Sequence, residues 1–142
     1  MNWRRLHAFA AILWVVAIIV QVFLAGQAIG NLGGSGDFAT HRDFGYTIGI
    51  IQLIALLLAF PARMSRRDKG ISAGLLVLYI VQTLLPGFRS DMAFLAALHP
   101  LNAMILFTLS IWYARHAWRV SGATTGANAG SPEAADAARK AG

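Results

Sequence analysis

The sequence predicts an all-α protein, an integral membrane four-helix bundle of up-down-up-down topology, and two observations predict it. Only 13% of the 142 residues are charged while 57% are hydrophobic. Soluble domains carry about 25% charged residues, and a chain this short cannot hide so much apolar surface in one core. The charges also cluster, leaving four windows without Asp, Glu, Lys or Arg at 8–29, 44–62, 70–88 and 92–114. Each approaches the ~20 residues with which a helix crosses a ~30 Å hydrocarbon core. Leu, Ile, Val, Ala and Phe fill these windows without the alternation of a barrel strand. Backbone groups in lipid must be satisfied within their own segment, which makes helix the expected form.

The first span is expected at about 8–29, behind Arg4 and Arg5. Those arginines and Ala25-Gly26-Gln27-Ala28 have the look of a signal peptide, but the apolar run exceeds the ~7–15 residues of a signal core, so the helix is read as uncleaved. The loop at 30–40 holds Gly30, Gly33, Gly34 and Gly36, which favour turns and match no phosphate-binding pattern. A second span at about 42–62 is ended or bent by Pro61. The basic connection 63–69 is short, so spans two and three form a hairpin. The third span, about 70–87, closes at Pro86-Gly87, and 88–91 is a brief turn into a fourth span at about 94–115. Residues 1–120 thus form one transmembrane domain. Residues 121–142, Ala-, Gly-, Thr- and Ser-rich, lack the apolar content to order themselves and are expected to be a disordered cytoplasmic tail.

Orientation follows from the basic residues. With the N-terminus inside, the inner segments hold Arg4, Arg5, Arg63, Arg66, Arg67, Lys69, Arg115, Arg119, Arg139 and Lys140, and the outer ones only Arg42 and Arg89. This bias places both termini in the cytoplasm, in keeping with a multi-pass protein of a bacterial inner membrane. The net charge of +6 is then a topology signal, and nucleic-acid binding is set aside because the positives flank apolar spans instead of lining a face. The absence of cysteine removes disulfides and thiolate metal sites.

Polar groups inside spans are costly, so each is informative. His41 opens the second span and His99 the fourth, and these run in the same direction, so both imidazoles fall in the outer leaflet. At ~100° per residue, His41, Gly45, Ile48 and Gln52 share one stripe with Gly49 at its edge, leaving room for a close helix or a flat ring. His99, Ala103, Leu106 and Ser110 share another, with Asn102 beside it. Two imidazoles facing each other at equal depth can ligate one haem b iron axially. His41 and His99 are therefore the candidate metal ligands, with Gly45 and Asn102 lining the site and Arg42 and Arg89 placed for propionates. The plainer interpretation has the glycines packing helices and His99-Pro100 starting one, with proline at its favoured first position. A third has the same pocket holding a quinone or other lipid-like ligand. His7 and His116 lie among inner arginines, which suits headgroup contact. Gln21 and Gln82 are expected to hydrogen-bond neighbouring helices, and Trp14 to pack inside.

Three stretches, Gln21-Val22-Phe23-Leu24-Ala25-Gly26, His41-Arg42-Asp43-Phe44-Gly45-Tyr46 and Ala97-Leu98-His99-Pro100-Leu101-Asn102, resemble a bacterial family of small four-helix membrane proteins of unknown function. The resemblance covers residues 3 to 118 and implies the topology without an activity. The His-Arg and His-Pro placements are more distantly similar to cytochrome b561-like haem modules and haem A synthase, which implies axial histidines from different helices. The chain departs from the two-haem pattern because its inner histidines are not well inside the spans.

No nucleophile–base pair, carboxylate pair or metal-spacing cluster supports hydrolysis or group transfer, and the chain is not expected to act as a stand-alone enzyme. No Asp, Glu, Lys or Arg within a span argues against a pump. What remains is a haem protein of membrane electron transfer, a cofactor-free subunit docking other membrane proteins through its glycines, or a binder of a lipophilic ligand. The lipid bilayer is the partner common to all three.

Overall fold

The computed structural model describes residues 2–30 and 33–129, and side chains as far as 122; the described residues form four α-helices, a short 3-10 helix and turns, with no strand. The first helix, α1 (Trp3–Ala28), is capped by Asn2, whose side chain accepts from the Arg5 amide. At its other end the amides of Gly34, Ser35 and Gly36 reach back to the carbonyls of Ile29, Gln27 and Ala28, filling acceptors that a helix terminus leaves open. A Cβ at Gly34 would run into the Gln27 carbonyl, so this turn requires glycine there.

The second helix, α2 (Ala39–Leu58), starts where Asp37 accepts from the Ala39 amide at 2.8 Å. It stops short of Pro61, and the chain turns through Arg63 at φ 52°. For α3 (Arg66–Leu84) the cap is Ser65, which accepts from the Asp68 amide and donates to the Asp68 carboxylate at 2.7 Å. The 3-10 helix Leu85–Arg89, with proline in its first turn, leads into α4 (Ala93–Ala129).

The fourth helix corrects two expectations about local structure. Pro100 lies inside α4 and does not open it. The helix starts earlier because the Met92 amide bonds back to Phe88 and Leu95 to Met92, running the 3-10 turn straight into α4. The helix also passes the expected tail boundary at 121 and continues to Ala129; the rest of the tail, 130–142, lies outside the described residues.

Consecutive helices are neighbours, and α4 closes back on α1. That puts α2 and α4 on one diagonal of the bundle and α1 and α3 on the other. Small residues let the helices approach: Ala8, Ala11, Ala17, Ala55, Ala59 and Ala117 are buried, and Ala11, Ala17 and Ala114 pack with Trp14, Leu75 and Tyr113. The outside is apolar, with Phe23, Ile50, Leu57, Val77 and Met104 all more than half exposed. Three helical stretches, Trp3–Ala28, Arg66–Arg89 and Ala93–Gly122, are long and apolar enough to cross a membrane. The outer turn of α2 is polar, with His41, Arg42 and Asp43, and that sets α2 apart from them.

The two hairpins, α1–α2 and α3–α4, repeat one another. Gln21 contacts His41 in the first, and Gln82 contacts His99 in the second. Counting inward from each glutamine pairs His7 with Asp68, Ala11 with Ser72 and Trp14 with Leu75. Counting from each histidine pairs Ile48 with Leu106, Gln52 with Ser110 and Ala55 with Tyr113. All twelve residues are buried.

Candidate functional site

The diagonal helices α2 and α4 bring His41 and His99 together at the end of the bundle opposite the N-terminus (the outer end in the expected orientation), their ring centroids 6.4 Å apart and planes at 76°. Each ring is anchored alike. His41 Nδ1–H donates to the Gln21 carbonyl oxygen at 3.1 Å, and His99 Nδ1–H to the Gln82 carbonyl oxygen at 3.0 Å. A carbonyl can only accept, so in the neutral imidazole the proton is held on Nδ1 and Nε2 keeps the lone pair. Metal-bound histidines usually carry this kind of support, the remote N–H fixed by a carbonyl or carboxylate.

The glutamine side chains lie against those lone pairs. Gln21 Nε2 is 3.3 Å from His41 Nε2 and donates to the His41 carbonyl at 2.8 Å. Gln82 Nε2 is 3.2 Å from His99 Nε2, and its Oε1 accepts from Asn102 at 2.7 Å. In the first hairpin Phe44 takes the place that Asn102 has in the second, and Gln21 Oε1 is buried without a partner among the described residues.

The other candidate residues are placed as follows. Asn102 also donates to the Leu78 carbonyl at 3.0 Å, so it acts by holding Gln82. A Cβ at Gly45 would come within 2.7 Å of Gln21 Nε2, and one at Gly49 would collide with the Tyr79 ring; the close neighbours that these glycines admit are a glutamine amide and a tyrosine. Tyr79 donates to the Gly45 and Tyr46 carbonyls at 2.9 and 3.0 Å. Arg42 is exposed and pairs with Asp43 at 3.1 Å, and Arg89 is exposed at the end of the 3-10 helix.

Midway down, Trp14 donates to Ser110 at 2.9 Å and Gln52 to the Ser72 carbonyl at 2.9 Å; Trp14 is 1% exposed, inside as the sequence indicates. The inner end differs from expectation. His7 is 0% exposed and does not meet headgroups, because α1 places it on the face that packs against α2 and α4. Its Nδ1–H donates to the Ala55 carbonyl at 2.8 Å, and its Nε2 meets the Tyr113 hydroxyl at 3.1 Å. That hydroxyl also lies 3.1 Å from the Asp68 carbonyl, so one proton faces two acceptors. The Asp68 carboxylate accepts from His116 Nε2 at 2.9 Å. Asp68 and Tyr113 are polar residues that the sequence reading missed. A Ser-x-x-Asp cap at 65–68 is the signal available for the first, whereas Tyr113 stands between Trp112 and Trp118 near the end of an apolar run with nothing in the sequence to mark it.

Among the described residues no group of three or more His, Cys, Asp or Glu gathers to hold a bare metal ion. The two imidazoles alone suit a metal that brings its own equatorial ligands, as haem iron does. The ring centroids lie 6.4 Å apart, and the Nε2 of each ring meets a glutamine amide.

No curated protein and no solved structure matches the chain. Residues 21–88, from Gln21 through α2 and α3, match a family of unknown function, DUF6220. That segment contains His41 and both glutamines and stops before His99, and no similarity to cytochrome b561-like modules is shown.

Proposed function

We propose that the chain is a four-span protein of a bacterial inner membrane, both termini cytoplasmic, that binds one b-type haem between His41 and His99 and serves membrane electron transfer. The observation that carries the proposal is the pair of imidazoles on diagonal helices, 6.4 Å apart, with Nδ1 of each tied to a backbone carbonyl. The fourth span is α2, whose apolar stretch follows Phe44, its polar first turn lying at the outer interface. The basic residues at the other end of the bundle support this orientation.

When bound, the haem supplies one-electron chemistry. His41 and His99 would hold the group, and Arg42 and Arg89 would be offered to its carboxylates at the same end. Gln21 and Gln82 would have to turn away from the Nε2 atoms for ligation, Gln21 releasing the His41 carbonyl and Gln82 releasing Asn102. One outer haem cannot pass electrons across a ~30 Å core, so a quinone or another membrane protein must complete the path.

A second reading is favoured by the glutamine contacts themselves. Each glutamine donor meets a histidine acceptor, so the outer layer closes on itself as interhelical glue in a cofactor-free subunit. Oxidised and dithionite-reduced absorbance spectra of protein expressed with ample haem separate the two. A sharp reduced α-band lost in both His41→Ala and His99→Ala supports haem. A colourless, fully helical preparation sinks it and leaves the subunit reading.

A further inference from the structure

The α1–α4 seam carries a groove of about 400 Å³ lined by Ile12, Val15, Val16, Ile111, Ala114, Arg115, Trp118 and Arg119. Its walls are apolar except at the inner end, where Arg115 and Arg119 stand one helical turn apart on the same face. Both are exposed. The ion pairs among the described residues are Arg42–Asp43 and His116–Asp68, so neither guanidinium has a carboxylate partner there. Trp118 meets Phe9 edge to face at 5.6 Å, putting an amphipathic ring at the same level.

The repeat provides an internal control. At the α2–α3 seam, the positions equivalent to Arg115, Trp118 and Arg119 are Leu57, Phe60 and Pro61. The equivalent positions carry no arginine, and Lys69 lies 4.9 Å over the Phe60 ring there. A pair of arginines at this depth is therefore not something that ending a helix requires.

We propose that the inner α1–α4 groove binds one anionic glycerophospholipid, an acyl chain lying along Ile12, Val16 and Ile111 and the headgroup phosphate held by Arg115 and Arg119. The proposal rests on the membrane part of the reading above and is independent of haem. The occupant follows from charge and shape: an apolar channel closed by paired guanidinium donors matches a phosphodiester on an acyl chain. A protein helix would leave both guanidinium groups without an anion unless it brought its own.

The test is native mass spectrometry of the full-length protein in detergent, titrated with phosphatidylglycerol or with phosphatidylcholine of the same acyl chains. Wild type should retain one phosphatidylglycerol with at least roughly tenfold preference, since basic residues near a surface contribute about fivefold each toward anionic lipid. Arg115→Gln with Arg119→Gln should abolish the preference, Arg115→Lys with Arg119→Lys should keep much of it, and Lys69→Gln should leave it unchanged. Val16→Trp, which fills the groove, should weaken retention. An undiminished preference in the double glutamine variant, or an equal loss in Lys69→Gln, would overturn the proposal. Full release of the chain from native membranes by alkaline carbonate would instead refute the membrane reading, whereas a carbonate-resistant chain without lipid preference refutes only the lipid site.

Discussion

The outer and inner ends of the bundle use histidine in opposite ways. At the outer end His41 and His99 each spend one nitrogen on a backbone carbonyl and meet only a glutamine amide with the other. At the inner end His7 has Nδ1 on Ala55 and Nε2 on Tyr113, with the Asp68 carbonyl and His116 extending the chain of contacts. The outer glutamines are side chains that can rotate away, whereas the groups around His7 are a backbone carbonyl and a buried ring. Both ends satisfy their imidazoles, but only the outer one can release a lone pair to a ligand without dismantling the packing.

The sharpest way to break this contrast is to delete each histidine in turn. His41→Ala or His99→Ala should remove the reduced α-band entirely while leaving the helices folded. His7→Ala should keep the band in whatever protein folds but lower stability by about 2–4 kcal/mol through a cavity and the loss of the His7 hydrogen bonds, read by thermal or denaturant unfolding in detergent. A band lost in His7→Ala and kept in His41→Ala would reverse the assignment.

A smaller effect is expected between the ends. Gly49→Ala drives a methyl into the Tyr79 ring and should cost about 1–3 kcal/mol. Gly45→Ala meets only the end of Gln21; it should cost less than Gly49→Ala and act on the site by shifting Gln21. If the two cost the same, the Tyr79 contact is not the tighter one.

Tyr113→Phe removes the hydroxyl shared by His7 and Asp68. Because one proton already serves two acceptors, the loss should be about 1 kcal/mol. The smallest effect should be at the glutamines, where hydrogen bonds between membrane helices average about 0.6 kcal/mol. Gln21→Leu and Gln82→Leu are expected to cost similar amounts, because each glutamine makes two contacts, Gln21 with His41 and Gln82 with His99 and Asn102. A clearly larger cost at either glutamine would mean that the two hairpins do not hold their histidines alike.

Much of the fold is legible in composition and pattern. The four uncharged windows become four helices, and Trp14, Gln21 and Gln82 make contacts of the kind their burial in apolar runs implies. The start of α4 at Ala93 lies within a residue of the span expected at about 94, although Pro100 offered a competing start seven residues on. The inner network, by contrast, was hidden. His7 and Asp68 are flanked by arginines, and linear charge density does not say which face of a helix turns inward. The repeat was partly visible in Gln21 with His41 and Gln82 with His99, but the connections between them differ in length, which blurs a fixed period.

By itself, then, the sequence determined that this chain forms apolar helices, which end of the bundle carries the positive charge, and which histidines belong to the same end. These follow from composition and from order along the chain. Tertiary structure alone decided that α2 and α4 are diagonal partners, that each outer imidazole is fixed through Nδ1, that His7 is sealed by Tyr113, and that Arg115 and Arg119 share a groove. Those outcomes depend on helix rotation about its own axis, which is set by the fit of small residues such as Gly49 and Ala55 against neighbours distant in sequence.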